Sequence, residues 1–404
     1  MAEQCLAGGS LIQLSDITPM LHTLQAILWA SLAGIAYTYL GYPLIIAVLA
    51  RLRPRPHVTA DIEPTVSVLV AAYNEEACIA QKIDNTLALD YPEDKLELVV
   101  VTDGSTDRTP DIVRSFASDR VRLLHQPERR GKPAAVERAF PSTRGEIVLF
   151  SDANCYFPHD VVRRLVRHFA DPAVGGASGA KRLLDEGETP AGKGEGLYWR
   201  YESNLKACDS AVSSAMGAPG EVWAARRAAY VSPGSDAIID DFVASLRLVE
   251  GGWRLIYDRE ALAYERSSAD LRGEWIRRTR MAAGGWQAFA MLRGMLRHPS
   301  PLVRFQYLSH RMLRWMVTPS LFVLALAANT ALVALRAGVI YDLVLAVQAA
   351  GYGLAAVGWV AARRGRRPGW LMAPLYVAML NAAALVGGWR YLTGRQSAVW
   401  TKAR

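Results

Sequence analysis

Apolar and polar positions divide the chain into unlike stretches. No Asp, Glu, Lys or Arg occurs from Ile17 to Ala50, and Trp315–Leu335, Leu343–Ala362 and Pro368–Trp389 are equally free of charge. A helix needs roughly 20 apolar residues to cross a hydrocarbon core, so each run has spanning length. Between the first two lies a mixed, charged stretch of more than 200 residues. There Val66–Ala71 reads as a short strand, and beyond Asn74, Glu75 and Glu76 the pattern becomes helical through Leu89. Leu96–Thr102 repeats the strand signal, Asp103–Asp107 makes a turn, and Thr109-Pro110 opens a helix with proline at its first turn. Val121–Leu124 and Ile147–Phe150 are two more strands, with a helix predicted over Lys132–Phe140. Strands alternating with helices predict a parallel sheet covered on both faces.

Composition places the chain against lipid, because 51% hydrophobic and 21% charged residues are too apolar for an ordinary soluble protein of 404 residues. The expected organisation is an N-terminal segment, 1–57, with a span at about 20–50, then an α/β domain over 58–270. Amphipathic helices along the membrane surface follow over 271–311, then a C-terminal membrane region, 312–404, with spans near 315–335, 341–362 and 368–389. The first run reads as an anchor and not a signal peptide, since Met1–Asp16 carries no Lys or Arg. Arg51, Arg53 and Arg55 follow that run directly, which predicts a cytoplasmic central domain in a multi-pass inner-membrane protein. Arg311, Arg314, Arg363, Arg364, Arg366 and Arg367 agree with this orientation, whereas four spans would put Arg390, Arg395, Lys402 and Arg404 on the other side. The formal charge of +8 sits beside apolar spans, not in an aromatic-interleaved stripe, so membrane lipids and an anionic substrate fit better than nucleic acid. Cys5, Cys78, Cys155 and Cys208 lack the paired spacing of a zinc site and read as packing residues.

Ligands of doubly wound sheets bind beyond the carboxyl ends of the strands. Asn74 and Glu75 follow the first strand, Asp103 the second and Asp152 the fourth, so these polar residues converge on one edge. Any one of them could simply cap a turn; three on one edge of one sheet favour a site. Asp152-Ala153-Asn154 offers oxygen ligands to a hard cation that keeps room for phosphates. Lys132 opens a helix, where its ammonium and the backbone amides can face a diphosphate.

Five strings in order, Ala72-Tyr73-Asn74-Glu75, Asp103-Gly104-Ser105-Thr106-Asp107, Asp152-Ala153-Asn154, Asp240-Asp241 and Arg277–Met281, resemble the family 2 glycosyltransferases. The similarity runs from about Val66 to Gln287 and is close to the membrane-bound branch that includes cellulose, chitin, hyaluronan and poly-N-acetylglucosamine synthases. The resemblance implies an α/β GT-A fold that binds a UDP-sugar with Mg²⁺ or Mn²⁺. It places Tyr73, Glu75 and Asp103 on the nucleoside, Asp152 at the head of the metal segment with Asn154, and Asp241 as general base beside Asp240. Arg280 matches the diphosphate-binding Arg of the QxxRW motif, whereas Arg277 replaces its Gln and Met281 its Trp, and Asn154 stands where the family often has Asp. Gly217 and Trp223 lie in a turn near the expected acceptor.

Sugar transfer needs a base for the acceptor hydroxyl and charge stabilisation for the leaving diphosphate. Asp241 supplies the first, and Arg280, Lys132 and the metal at Asp152 the second, in a single inverting displacement. The acceptor is a growing polysaccharide or a lipid-linked glycan; single addition to a lipid is the alternative, and an accessory secretion subunit is a further partner class. A non-catalytic nucleotide-binding subunit is the reading from another class. A transporter fits poorly because the spans hold almost no ionisable residues.

Overall fold

The computed structural model describes residues 14–184, 190–266, 270–364 and 369–397. Cys5, Arg366, Arg367, Pro368, Lys402 and Arg404, named above from the sequence, lie outside them. Helices α1 (Leu14–Ala36) and α2 (Tyr42–Leu52) precede the first strand, β1 (Val66–Ala72). Strand β1, helix α3 (Ile79–Leu87), β2 (Leu96–Asp103), α4 (Thr109–Ser115), β3 (Val121–Gln126), α5 (Lys132–Ala139) and β4 (Ile147–Asp152) realise the expected alternation. The chain continues through α6 (Val161–Val166), β5 (Val174–Leu183), α7 (Pro190–Val212), β6 (Trp223–Arg226), α8 (Asp240–Glu250) and β7 (Arg254–Glu265).

All seven strands share one sheet in the order β3-β2-β1-β4-β6-β5-β7. The sheet is mixed, which corrects the wholly parallel expectation: β6 runs antiparallel to both β4 and β5. Strands β5 to β7 escaped the sequence reading for identifiable reasons. Strand β6 has four residues, β7 is broken by Asp258-Arg259-Glu260, and β5 is built on glycine and alanine instead of β-branched residues. The glycines of β5 answer to packing, since a Cβ at Gly179 would lie 2.1 Å from the Ala261 carbonyl oxygen. The central strands are buried on both faces. Val68, Val70, Leu98 and Leu149 meet α3 and α6 on one side, while Leu69, Val99, Val148 and Phe150 meet α5 and α8 on the other. Each such side chain contributes roughly 1.5–3 kcal/mol by leaving water, and this rigid slab fixes the loops at the strand ends.

Helix α9 (Leu271–Met291) leads to α10 (Pro301–Gln306), α11 (Thr318–Ala334), α12 (Val339–Arg363) and α13 (Met372–Leu392). Four stretches, Thr18–Leu52, Pro301–Ala334, Val339–Arg363 and Gly369–Leu392, are long and apolar enough to cross a membrane. The second is continuous from Pro301, well before the charge-free run at Trp315, because a π-helical stretch, Tyr307–Val317, joins α10 to α11. Its charged residues have partners: Arg311 Nη1 lies 2.6 Å from Glu202 of α7, and His310 Nδ1 lies 2.5 Å from Asp209 of the same helix. A shorter π turn, Tyr37–Gly41, links α1 to α2, and there Tyr37 bonds Ser309 at 2.8 Å while Thr38 bonds Thr318 at 3.0 Å. Polar contacts of this kind hold helices together where lipid supplies no hydrophobic drive. Helix α9 packs along the last span, where a Cβ at Gly387 would stand 2.6 Å from the Ala282 Cβ.

Candidate functional site

The turns that follow β1 and β2 are laced to each other. Asn74 adopts φ 53°, a left-handed conformation that Asn tolerates. Its N–H donates to Ser105 Oγ at 3.1 Å, its Oδ1 accepts from the Thr106 N–H at 2.8 Å, and the Glu75 N–H reaches Thr109 Oγ1 at 2.8 Å. These bonds bring Tyr73 and Glu75 beside the end of β2, where the buried Asp103 carboxylate accepts the N–H groups of Arg130 at 3.0 Å and Gly131 at 2.6 Å. Asp103 therefore anchors the loop into α5. Gly104, at φ 70°, admits that loop: a Cβ there would stand 2.6 Å from the Arg129 Cβ. The Arg129 guanidinium lies 3.7 Å above the Tyr73 ring.

Lys132, the first residue of α5, occupies the charged centre. Its Nζ donates to Asp152 Oδ1 at 2.7 Å and to Asp241 Oδ2 at 3.0 Å, bridging the end of β4 to the start of α8. The Trp223 Nε1–H holds Asp241 Oδ1 at 3.3 Å from the other side. Asp240 and Asp241 stand in the first turn of α8, where the helix dipole favours negative charge. Burial raises the Asp241 carboxyl to about 6, with the Asp240 charge adding to the rise and Lys132 opposing it. Burial also raises Asp152, against the pull of Lys132. The Lys132 ammonium is opposed by burial, yet Asp152, Asp241 and Asp240 hold it well above the usual lysine range. Arg280 of α9 donates Nη1 to the Ile238 carbonyl at 2.8 Å; burial lowers its pKa although Asp240, Asp152 and Asp241 favour its charge.

Other residues singled out from the sequence lie around this centre. The Asn154 amide nitrogen donates to Glu265 at 2.9 Å, and its oxygen faces the Cys155 thiol at 3.8 Å. Arg277 enters a buried ionic network with Glu195, Glu274 and, through Glu195, Lys181. Met281 is half-buried on α9. Trp223 is 1% exposed and stacks on Phe150 at 4.5 Å, so its indole face is core and only its N–H serves the site. Gly217, at φ 100°, lies against Phe242, where a Cβ would clash at 2.5 Å.

Three contributions were missed in the sequence. A Cβ at Gly220 would stand 2.3 Å from Asp241 Oδ2 and 3.1 Å from Lys132 Nζ, so only glycine leaves room for that pair. Lys82 is fully buried and burial lowers it to about 8; its Nζ bonds Ser151 Oγ and the Cys155 carbonyl, both at 2.8 Å, bracketing the Asp152–Asn154 turn. A lysine on an amphipathic helix reads as a surface residue, so no sequence signal marked it. Gln287 of α9 carries the third, bonding the backbone of Asp236 and Ile238 just before the acid pair.

Among the described residues no three His, Cys, Asp or Glu side chains converge on a common metal position. Asp152 offers a carboxylate that is 34% exposed and shares the Lys132 ammonium with Asp241, and the Asn154 oxygen lies two residues on. That donor set fits a hard cation held mainly by substrate phosphates.

Residues 67–229 match the family described as Glycosyl transferase family 2. A beta-monoglucosyldiacylglycerol synthase of Nostoc sp. (strain PCC 7120 / SAG 25.82 / UTEX 2576) is 31% identical over 285 residues, covering 66% of this chain and 58% of that protein. A poly-beta-1,6-N-acetyl-D-glucosamine synthase of Staphylococcus aureus (strain COL) is 26% identical over 243 residues, 58% of each chain. The chain thus spans 58% of the length of these curated relatives. The solved mannosyltransferase PcManGT from Pyrobaculum calidifontis, in complex with GDP-Man and Mn²⁺, superposes with a TM-score of 0.72 at 26% identity, covering 92% of this chain and 100% of that one.

Proposed function

Because this chain carries a family 2 glycosyltransferase domain with the GT-A fold, we propose that it transfers a sugar from a nucleoside-diphosphate sugar to a hydroxyl acceptor at the cytoplasmic membrane face, with inversion. The observation that carries this reading is the Lys132 bridge between Asp152 and Asp241, with Arg280 in the field of the same acids. Two carboxylates and two cations thus lie close together at the strand ends, which supports the reading of Asp241 as base. Asp241 takes the proton of the acceptor hydroxyl while that oxygen attacks the anomeric carbon, and the sugar–phosphate bond breaks with its electron pair leaving on the diphosphate. Lys132 and Arg280 stabilise the charge that builds there. A carboxyl raised to about 6 suits the task, being ionised at neutral pH and more basic than an ordinary aspartate. A divalent ion held by Asp152 and the donor phosphates would add Lewis-acid stabilisation of the leaving group. Tyr73 and Glu75, at the neighbouring strand ends, form the nucleoside end of the site, and Asp103 holds the Arg130–Gly131 loop beside it.

The acceptor in this reading is a lipid or lipid-linked glycan that receives a single sugar. The matched Nostoc relative is named for a glycolipid product, and no aromatic stands at Met281 to hold a growing glycan. Trp286, the nearest substitute, is packed on α13, where a Cβ at Gly388 would stand 2.7 Å from its Nε1. Polymer synthesis is the second reading, supported by the Staphylococcus relative. The family resemblance implies a UDP-sugar donor, while the solved mannosyltransferase is in complex with GDP-Man, so both nucleotides belong in the test. The protein in lipid nanodiscs is incubated with UDP- and GDP-sugars, Mg²⁺ or Mn²⁺ and membrane lipid extract, with nucleoside diphosphate release and product mass as readouts. Release from one donor, abolished by EDTA and giving a lipid one sugar heavier, is the expected result. A ladder of products favours the polymer; release unaffected by EDTA rejects the metal, and none from any donor rejects the transferase.

A further inference from the structure

Asp240 and Asp241 begin a helix, and the segment before them, Asp236 to Ile239, belongs to neither helix nor strand. Its direction has to be fixed from outside, and α9 does so. Gln287 Oε1 accepts the Ile238 N–H at 2.8 Å, and Gln287 Nε2 donates to the Asp236 carbonyl at 2.9 Å. One side-chain amide thus spends both its ends on the backbone that delivers the acid pair. Arg280 closes the other side of Ile238 through its carbonyl. Gly284 completes the surface: a Cβ there would lie 2.8 Å from Ile239 Cγ2 and 3.0 Å from Ile238 Cγ2, so the segment rests directly on the α9 backbone. Residues 280, 284 and 287 share one helix face by their spacing. The flanking positions Ala282 and Trp286 meet Gly387 and Gly388 of α13, so the helix that seats the segment is itself seated on the last span.

We propose that Gln287 is a positioning residue for the transfer reaction, one that sets where Asp240 and Asp241 point by clamping the backbone of residues 236–238. The inference rests on the reading of Asp241 as base. Both ends of the Gln287 side-chain amide go to backbone groups, so its effect passes through the segment it holds. Gln287→Met keeps the bulk and loses both bonds. Gln287→Glu keeps the acceptor for the Ile238 N–H and loses the donor to the Asp236 carbonyl. Gly284→Ala removes neither bond but pushes on Ile238 and Ile239, while alanine strengthens the helix itself.

The test uses the full chain in nanodiscs with the donor the wild type turns over, comparing kcat, donor KM, the pH profile and thermal stability across the three variants. Misplacing a catalytic group by about 1 Å can cost on the order of a hundredfold in rate. The expected result is a kcat lowered tenfold to a hundredfold in Gln287→Met at nearly unchanged donor KM. Gln287→Glu should fall between it and the wild type, and Gly284→Ala should lose rate without losing thermal stability. The acid limb of Gln287→Met should move to lower pH, because a loosened segment lets water reach Asp241. A purely structural role would leave that limb in place. Variants that keep wild-type kcat and pH profile, or lose rate only in step with thermal stability at an unshifted limb, overturn the proposal. A wild type inert toward every donor overturns the site reading and this inference with it, whereas an active wild type with unaffected variants overturns this inference alone.

Discussion

In its proposed role Asp241 meets two opposed demands, since a base must be ionised to accept a proton while burial penalises the charge. With its carboxyl at about 6, the rate is expected to fall as pH drops through about 6, read as the acid limb of kcat/KM. The same shift bears on stability with a definite sign. The folded carboxyl holds its proton to higher pH than the unfolded one, whose ordinary value is 3.8. Folding is therefore favoured by the protonated form, and the cost of ionising Asp241 grows as pH rises from about 4 through 6. Asp241→Asn removes that cost, so its Tm relative to wild type should rise between pH 4 and pH 7, measured by thermal unfolding in detergent. A constant difference would contradict the environment described. Much of this was legible in the sequence: Asp152, Lys132 and Asp241 follow strands or open helices, where chemistry gathers at one edge. The Lys132 bridge was not, because it joins residues more than a hundred positions apart, and neither was the room made by Gly220.

At the scale of elements, α7 is the joint between the sheet and the spans. Glu202 is 2% exposed and receives both Arg311 and Arg314 from the π-helical stretch, and these guanidiniums together with His310 hold its carboxyl well below the usual range. Breaking a buried pair by deleting one partner typically costs about 3–5 kcal/mol. Glu202→Leu is thus expected to lower the thermal midpoint clearly, while Arg120, whose partner Glu93 is largely exposed, should tolerate replacement by Leu with little change. Equal effects would show that the joint carries no special energy. No pattern along the chain signalled it: charged residues at 311 and 314 made the second span look as though it began at Trp315, whereas their buried carboxylate partner lets the helix run on from Pro301. Strands β1 to β4 announced themselves through β-branched runs, whereas β5 and β6 use glycine, alanine and brevity.

For the molecule as a whole, the α/β domain and the long apolar helices are one packed body, not a domain on a tether. The last span supports α9, α9 supports the segment before Asp241, and glycine makes each contact close. Gly388→Leu would drive a branched side chain into Trp286 and lift α9 from α13. We expect turnover in nanodiscs to fall severalfold or more, with the α/β domain still folded by near-UV circular dichroism. Full activity would mean that the span only anchors. This arrangement was beyond the sequence, which placed Leu271–Arg311 along the membrane surface because arginines and aromatics alternate there; the aromatic Trp286 in fact faces a helix. The central claim, that Asp241 is the base of a sugar transfer, is tested most directly by nucleoside diphosphate release from the wild type and Asp241→Asn, with donor binding measured in both. The account requires release by the wild type, a loss of roughly a hundredfold or more in the variant, and donor affinity kept. Release by Asp241→Asn at the wild-type rate would contradict it.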